Sequence, residues 1–350
     1  YFINYSILFY SNSIKMSAWI CPGFLLFFVL ILITDHCPMT QAVTQPPYGQ
    51  LAVSGKNLVQ KSTKKAVALH GLSMYWSQWV PKFWVKQTVN KLKCSCNANV
   101  VRAAMASSFG GYISNPTAEY KKMTAIIDGA IDQGLYVVVD WHTGDDLATT
   151  EIKYATEFFT KIAKAYNKYP HILYEIWNEP NKFVTWEAVV KPYAKTMIDV
   201  IRKYDKNNVI IVGTPNWDQD VDIVAKSPLK DANIIYTMHF YAGQHKDDIR
   251  NKVKTAYKLG LPMFVTEYGC YSADGNEKAN LEELKKWMEL LDGYGISYAA
   301  WHVADIGEQS SILTKTSEVN NICDPAHLTN YGKAIINKLK SQNNGVKCSG

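Results

Sequence analysis

Ile172-Leu173-Tyr174-Glu175-Ile176-Trp177-Asn178-Glu179-Pro180 reads as a short buried strand that closes on a polar pair and is stopped by proline. Met263-Phe264-Val265-Thr266-Glu267 repeats the pattern, with Gly269 expected to turn the chain. Outward from these two, β-branched or apolar runs fall at 66–70, 99–103, 136–141, 209–212, 234–239 and 296–301. Stretches with helical spacing lie between them, at 120–132, 152–166, 189–204, 248–259 and 281–291. Strand and helix in alternation predict an α/β fold with a parallel sheet. Eight strands predict a single-domain (β/α)8 TIM barrel, with a doubly wound open sheet as the alternative.

The strand ends separate the two. Arg102, His142, Asn178 with Glu179, Trp217, His239 with Tyr241, Glu267 and Trp301 follow the apolar runs in order. A closed barrel gathers all these ends on one face, where such folds keep their chemistry. An open sheet scatters them along an edge, and the Gly-x-Gly-x-x-Gly turn of its dinucleotide-binding form is missing after the first strand.

The net charge of +6 is dispersed among acidic residues, which describes a solvated surface and not a nucleic-acid stripe. The 22 Tyr, 10 Trp and 12 Phe exceed what a core of this size needs, so some rings are expected to face a ligand. Trp76, Trp79, Trp217 and Trp301 are placed to do so; Trp84, Trp141, Trp177 and Trp287 serve equally well as core. Residues 1–15 precede the first methionine, Met16, and read as untranslated leader. Residues 16–42, with an apolar run of ten from Phe24 to Ile33 and small residues around Ala42, read as a secretory signal peptide. That run is shorter than the roughly 20 residues a membrane span needs. Residues 43–350 then form the catalytic domain, expected to be extracellular, monomeric and free of the membrane. Cys94, Cys96, Cys270, Cys323 and Cys348 remain in it, enough for two disulfides and an odd thiol. Cys94 and Cys96 each need a distant partner, and the pairing is not readable.

Glu179 and Glu267 suit glycosidic hydrolysis, which needs one carboxylic acid to protonate the leaving oxygen and one carboxylate on the opposite ring face. Asn178 is placed to hold a sugar 2-hydroxyl, Arg102 and Tyr241 to keep Glu267 ionised, and His142 and His239 to bind hydroxyls or tune Glu179. Glu179 must begin protonated, which requires a raised pKa. The rival use of His142, His239, Asp140 and Glu267 is metal ligation, but no His-Glu-x-x-His spacing supports it, and neither metal nor cofactor is expected.

With these residues placed, the chain resembles glycoside hydrolase family 5, in particular its subfamily 2 of bacterial and plant-parasitic-nematode endoglucanases. The resemblance spans about 48–339. It rests on six ordered segments: Asn99 to Met105, Val138 to His142, Tyr174 to Pro180, Gly213 to Val221, Tyr236 to Tyr241 and Phe264 to Gly269. It implies hydrolysis of internal β-1,4-glucosidic bonds of cellulose with retained configuration and no cofactor. Glu179 is then the acid/base and Glu267 the nucleophile. Arg102, His142, Asn178, His239, Tyr241 and Trp301 match supporting positions, and Trp79 and Trp217 match sugar-stacking ones. Three positions depart from the pattern: Tyr268 stands where relatives carry Trp, Cys270 where a small hydroxyl residue is common, and Ile306 where many carry a sugar-binding Lys. Glu308 is retained. The same scaffold serves xylanases, mannanases and mixed-linkage glucanases, and a non-catalytic carbohydrate-binding barrel is the reading from another class.

Overall fold

A computed structural model of the chain describes residues 43–143, 147–273 and 278–348. The leader and signal-peptide segments lie outside them. Eight parallel strands close into a barrel in the order β10-β3-β4-β5-β6-β7-β8-β9. They are β3 (His70–Met74), β4 (Val100–Ala106), β5 (Tyr136–His142), β6 (Ile172–Glu175), β7 (Val209–Val212), β8 (Ile234–Tyr241), β9 (Met263–Gly269) and β10 (Ser297–Val303). A hairpin of β1 (Leu51–Ser54) and β2 (Asn57–Gln60) precedes the barrel. Helices Pro116–Gln133, Ile152–Tyr166, Lys191–Arg202, Asp247–Lys258 and Leu281–Tyr294 fall where helical spacing places them; Lys86–Cys94 and Asn330–Lys340 were not anticipated.

The strands alternate strictly enough to sort the core. Val101, Val137, Val139, Tyr174 and Ile210 point outward into the cluster shared with the helices. Val100, Tyr136, Val138, Leu173, Ile211, Ile235 and Phe264 form a second cluster with Leu51 and Leu58 of the hairpin. Those inner residues fill the bottom of the barrel, with the hairpin as its plug. Two steps further along the same inward faces the composition changes to Arg102, Asp140, Glu175 and Thr237, all fully buried. The apolar floor therefore carries a charged layer, and the rim stands on that layer.

Trp84, Trp141, Trp177 and Trp287 are all core, each at most 2% exposed. The first strand is displaced from its expected place at 66–70 and begins at His70. The 66–70 run is apolar enough for a strand, but Val67 N–H donates to Leu58 and Ala66 bridges Val59, so it leans on the hairpin instead.

Cys94 pairs with Cys348 and Cys96 with Cys323, across 254 and 227 residues, and Cys270 is left as a buried thiol. Closing such long loops removes much entropy from the unfolded chain. Replacing Cys96 and Cys323 together by serine is expected to lower unfolding free energy by about 2–4 kcal/mol, read by guanidinium denaturation.

Candidate active site

Arg102 organises the site. It lies within β4, not at its end, and its guanidinium is fully buried. Nε donates to Glu175 Oε2 at 2.7 Å, Nη1 to Glu267 Oε2 at 2.8 Å, and Nη2 to Asn178 Oδ1 at 2.6 Å, with Asp140 Oδ2 2.9 Å from Nη2. One guanidinium thus faces three carboxylates. Burial drives Asp140 up to about 8 and Glu175 up to about 7, with Arg102 pulling both back. Because Arg102 takes the amide oxygen of Asn178, the amide nitrogen is the end left to donate.

Glu267 reaches this layer through an irregularity in β9. Thr237 and His239 of β8 pair with Phe264 and Glu267 of β9, two steps against three, so β9 carries one extra residue. Strict alternation from Phe264 would turn Glu267 outward; the extra residue brings both Thr266 and Glu267 inside. Tyr241 donates to Glu267 Oε1 at 2.6 Å, so each carboxylate oxygen accepts one hydrogen bond. Burial, then the Glu267 charge, raises Tyr241 well above its ordinary value, which keeps the phenol a donor.

Glu179 corrects the strand reading: β6 ends at Glu175, and Glu179 stands on the following loop with φ +48°. A left-handed backbone at a glutamate is costly and is maintained here by what surrounds it. Asp218, fully buried, accepts from the Glu179 and Thr214 amides, and Asn216, Trp217 and Asp218 all share the left-handed conformation. His239 Nδ1 lies 2.9 Å from Glu179 Oε1. Burial and the nearby Arg102 charge hold His239 down to about 4 and His142 to about 3, so both imidazoles are neutral near pH 7. One oxygen each of Glu179 and Glu267 lies within 4.8 Å of the other.

A cavity of about 390 Å³ opens over these groups. Trp79, His142, Asn178, Glu179, Tyr241, Glu267, Trp301 and Glu308 line it, as does Trp76. His142 Nδ1 is 2.7 Å from Asp140 Oδ2, and its ring stacks on Trp301 at 5.4 Å. Glu308 accepts from the Tyr75 hydroxyl at 3.0 Å and faces His302 Nε2 at 3.3 Å. Trp217 does not line this cavity. It lies past Glu179, where the Lys182 ammonium sits 5.8 Å from its ring and 5.3 Å from the exposed Phe183 ring. Ile306, two residues before the cavity-lining Glu308, is 38% exposed.

Glu179, His239 and Glu267 present ligand atoms within 4.8 Å of one another, the geometry a metal would want. Those groups already have partners: Glu179 itself on His239 Nδ1, and Arg102 and Tyr241 on Glu267. A cation there would displace them and meet the guanidinium, so the donor set fits proton chemistry better than ligation.

The family described as Cellulase (glycosyl hydrolase family 5) matches residues 60–306. The chain belongs to that family. Among relatives of this family-5 chain, an endoglucanase of Clostridium saccharobutylicum is 38% identical over 325 residues, covering 92% of this chain and 72% of the relative. Endoglucanase Z of Dickeya dadantii is 36% identical over 295 residues, 83% of this chain and 66% of the relative. A solved complex of the Thermobifida fusca endoglucanase Cel5A catalytic domain with cellotetraose is 30% identical at a TM-score of 0.77, covering 84% and 98%. The chain therefore spans about two thirds of the curated relatives it matches.

Sequence reading of this family-5 site missed Glu175, Thr266, Asp218, Tyr75 and Phe109. Glu175 sits inside a strand, where a carboxylate looks like an interruption. Phe109 is in a loop and Asp218 closes the one-turn helix Pro215–Asp218, where no periodicity marks them. The usable signal was Glu175 itself, a charge in a run otherwise buried throughout.

Proposed function

We propose that the chain is a secreted, monomeric endo-β-1,4-glucanase that cleaves internal bonds of cellulose-type β-glucan with retained configuration. The observation that carries this is the short gap between Glu179 and Glu267. Retaining enzymes hold their two carboxyl groups about 5–5.5 Å apart, and inverting ones about 6.5–9.5 Å. The endoglucanase relatives and the cellotetraose complex support the substrate class. Two disulfides among the described cysteines suit an oxidising compartment.

Glu267, with one oxygen on the Arg102 guanidinium and the other on the Tyr241 hydroxyl, attacks the anomeric carbon while Glu179 protonates the leaving oxygen. Water then enters, Glu179 takes its proton, and the glycosyl ester on Glu267 is released. Because Glu179 faces the leaving group, the departing sugars run over its own loop toward Trp217. The glycone runs the other way, over the loops after β3 and β4, where Trp76 and Trp79 stack at 4.9 Å and the Phe109 ring stands edge-on to Trp76 at 6.1 Å.

Phe109 is 61% exposed and holds φ +51°. Phe109→Gly removes the ring and accepts that backbone freely. Its stability is expected to stay within about 1 kcal/mol, since relief of the left-handed conformation offsets glycine's unfolded-state entropy. KM on cellotetraose should rise about three- to tenfold with kcat little changed.

The function is tested by viscosity and reducing-end release on carboxymethylcellulose, glucomannan and xylan. A fast viscosity drop on carboxymethylcellulose supports the endoglucanase. Activity confined to glucomannan or xylan keeps the mechanism and moves the substrate, in line with the apolar Ile306. Binding without cleavage of any of the three returns the chain to a carbohydrate-binding barrel.

A further inference from the structure

Glu175 is fully buried, does not line the cleft, and is still connected to it. Its Oε2 accepts from Arg102, and its Oε1 meets Thr266 Oγ1 at 2.5 Å. Thr266 Oγ1 lies 2.8 Å from His239 Nε2, and His239 Nδ1 lies 2.9 Å from Glu179 Oε1. Four groups from β6, β9, β8 and the Glu179 loop make one unbroken chain between two carboxyls. The Thr237 hydroxyl also contacts Thr266.

Counting hydrogens constrains this chain. A threonine hydroxyl has one hydrogen and two lone pairs, and a neutral imidazole carries one N–H. With Glu175 ionised, Thr266 donates to it and accepts from Thr237 and from His239 Nε2–H. The bare Nδ1 then faces Glu179, and that contact closes only if Glu179 is a carboxylic acid. Shift every hydrogen by one bond and the alternative appears: Glu175 is protonated and donates to Thr266, Thr266 donates to Nε2, and Nδ1–H donates to an ionised Glu179. Thr237 donates in both arrangements, which removes the third choice for the Thr266 hydrogen. Both arrangements hold the same number of protons.

We propose that Glu179, His239, Thr266 and Glu175 form a proton relay that shares one proton between the two glutamates, with Thr266 and Glu175 as positioning residues that keep Glu179 available as an acid. The relay rests on the reading of Glu179 as acid/base. A chain stripped of its proton has two carboxylates, Glu175 fully buried and Glu179 partly so, and one contact without a hydrogen, so it holds that proton to higher pH than Glu179 alone. The other titratable and charged groups facing it are Arg102 and Asp140 beside Glu175, and Asp218, Glu267 and the neutral His142 around His239. Burial already lifts Glu175 to about 7, near enough to neutrality for both arrangements to be occupied. During turnover the Glu179 O–H breaks and its proton goes to the leaving oxygen; later a water O–H breaks and restores it. The relay adds and removes none.

The test compares pH profiles of kcat/KM on phenyl cellobioside, which needs acid assistance, and 2,4-dinitrophenyl cellobioside, which does not. In Thr266→Val a methyl faces Nε2, the hydrogen moves to Nδ1, and the ionised form of Glu179 is favoured. The basic limb on the phenyl substrate should move down by about one pH unit, with the dinitrophenyl substrate unaffected. Thr266→Ser should restore it. Glu175→Gln gives the same displacement by another route and serves if the valine variant does not fold. There Arg102 holds the amide oxygen, the amide N–H donates to Thr266, and Thr266 is locked onto Nε2. An unmoved basic limb in the folded variants, or equal losses on both substrates at every pH, overturns the relay. A wild-type chain inactive on both substrates removes the acid/base assignment first, and the relay falls with it.

Discussion

Glu267→Ala is expected to reduce kcat on aryl cellobiosides by roughly four to six orders of magnitude while the barrel stays folded. Among the described residues Asp140 and Glu175 cannot replace the nucleophile, since both are fully buried beneath the cleft and engaged by Arg102. Folding should survive for a reason visible in the same cluster. Arg102 faces three carboxylates, so removing one relieves repulsion and leaves the guanidinium still paired twice. The check is a melting curve beside steady-state kinetics, with azide added as a small external nucleophile. Azide should restore part of the rate and give a glycosyl azide of inverted configuration. Unassisted turnover close to the wild type would remove Glu267 as the nucleophile.

Glu179→Gln is expected to show a different signature. Loss of a general acid costs about 10²- to 10⁴-fold, and only where the leaving group needs a proton. Phenyl cellobioside should suffer most of that loss, and 2,4-dinitrophenyl cellobioside should react in its first step almost as before, leaving a slow second step and a burst of dinitrophenol. Equal losses on both would move the acid role away from Glu179.

These two residues were legible because each closes an apolar run, and a carboxylate there has no other account in an α/β chain. The barrel was legible for the same reason: eight runs ending in polar groups need a single face to collect them. What stayed hidden shows where one-dimensional patterning fails. The extra residue in β9 defeats alternation, so the joint inward turn of Thr266 and Glu267 had no signal. Glu175 belongs to a buried network whose other members, Arg102 and Asp140, lie on strands 73 and 35 residues away in sequence by position. The loop that carries Glu179 was mistaken for strand because Ile176 and Trp177 are as buried and apolar as the residues before them. Cysteine pairing needed the distances, 5.7 and 5.5 Å between α-carbons, that only the fold supplies.

The two disulfides decide what a single proteolytic cut does to the molecule. Both join the end of the first barrel helix, at Cys94 and Cys96, to residues beyond the last strand, at Cys323 and Cys348. A single peptide cut anywhere between Cys96 and Cys323 therefore yields two fragments that remain covalently attached at two points. The cleft loops from the one bearing Phe109 to the one bearing Ile306 lie within that interval, while the loop after β3 that carries Trp76 and Trp79 precedes it. Nicked molecules should run as one band without reductant and as two with it, and a severed loop need not release any strand from the barrel.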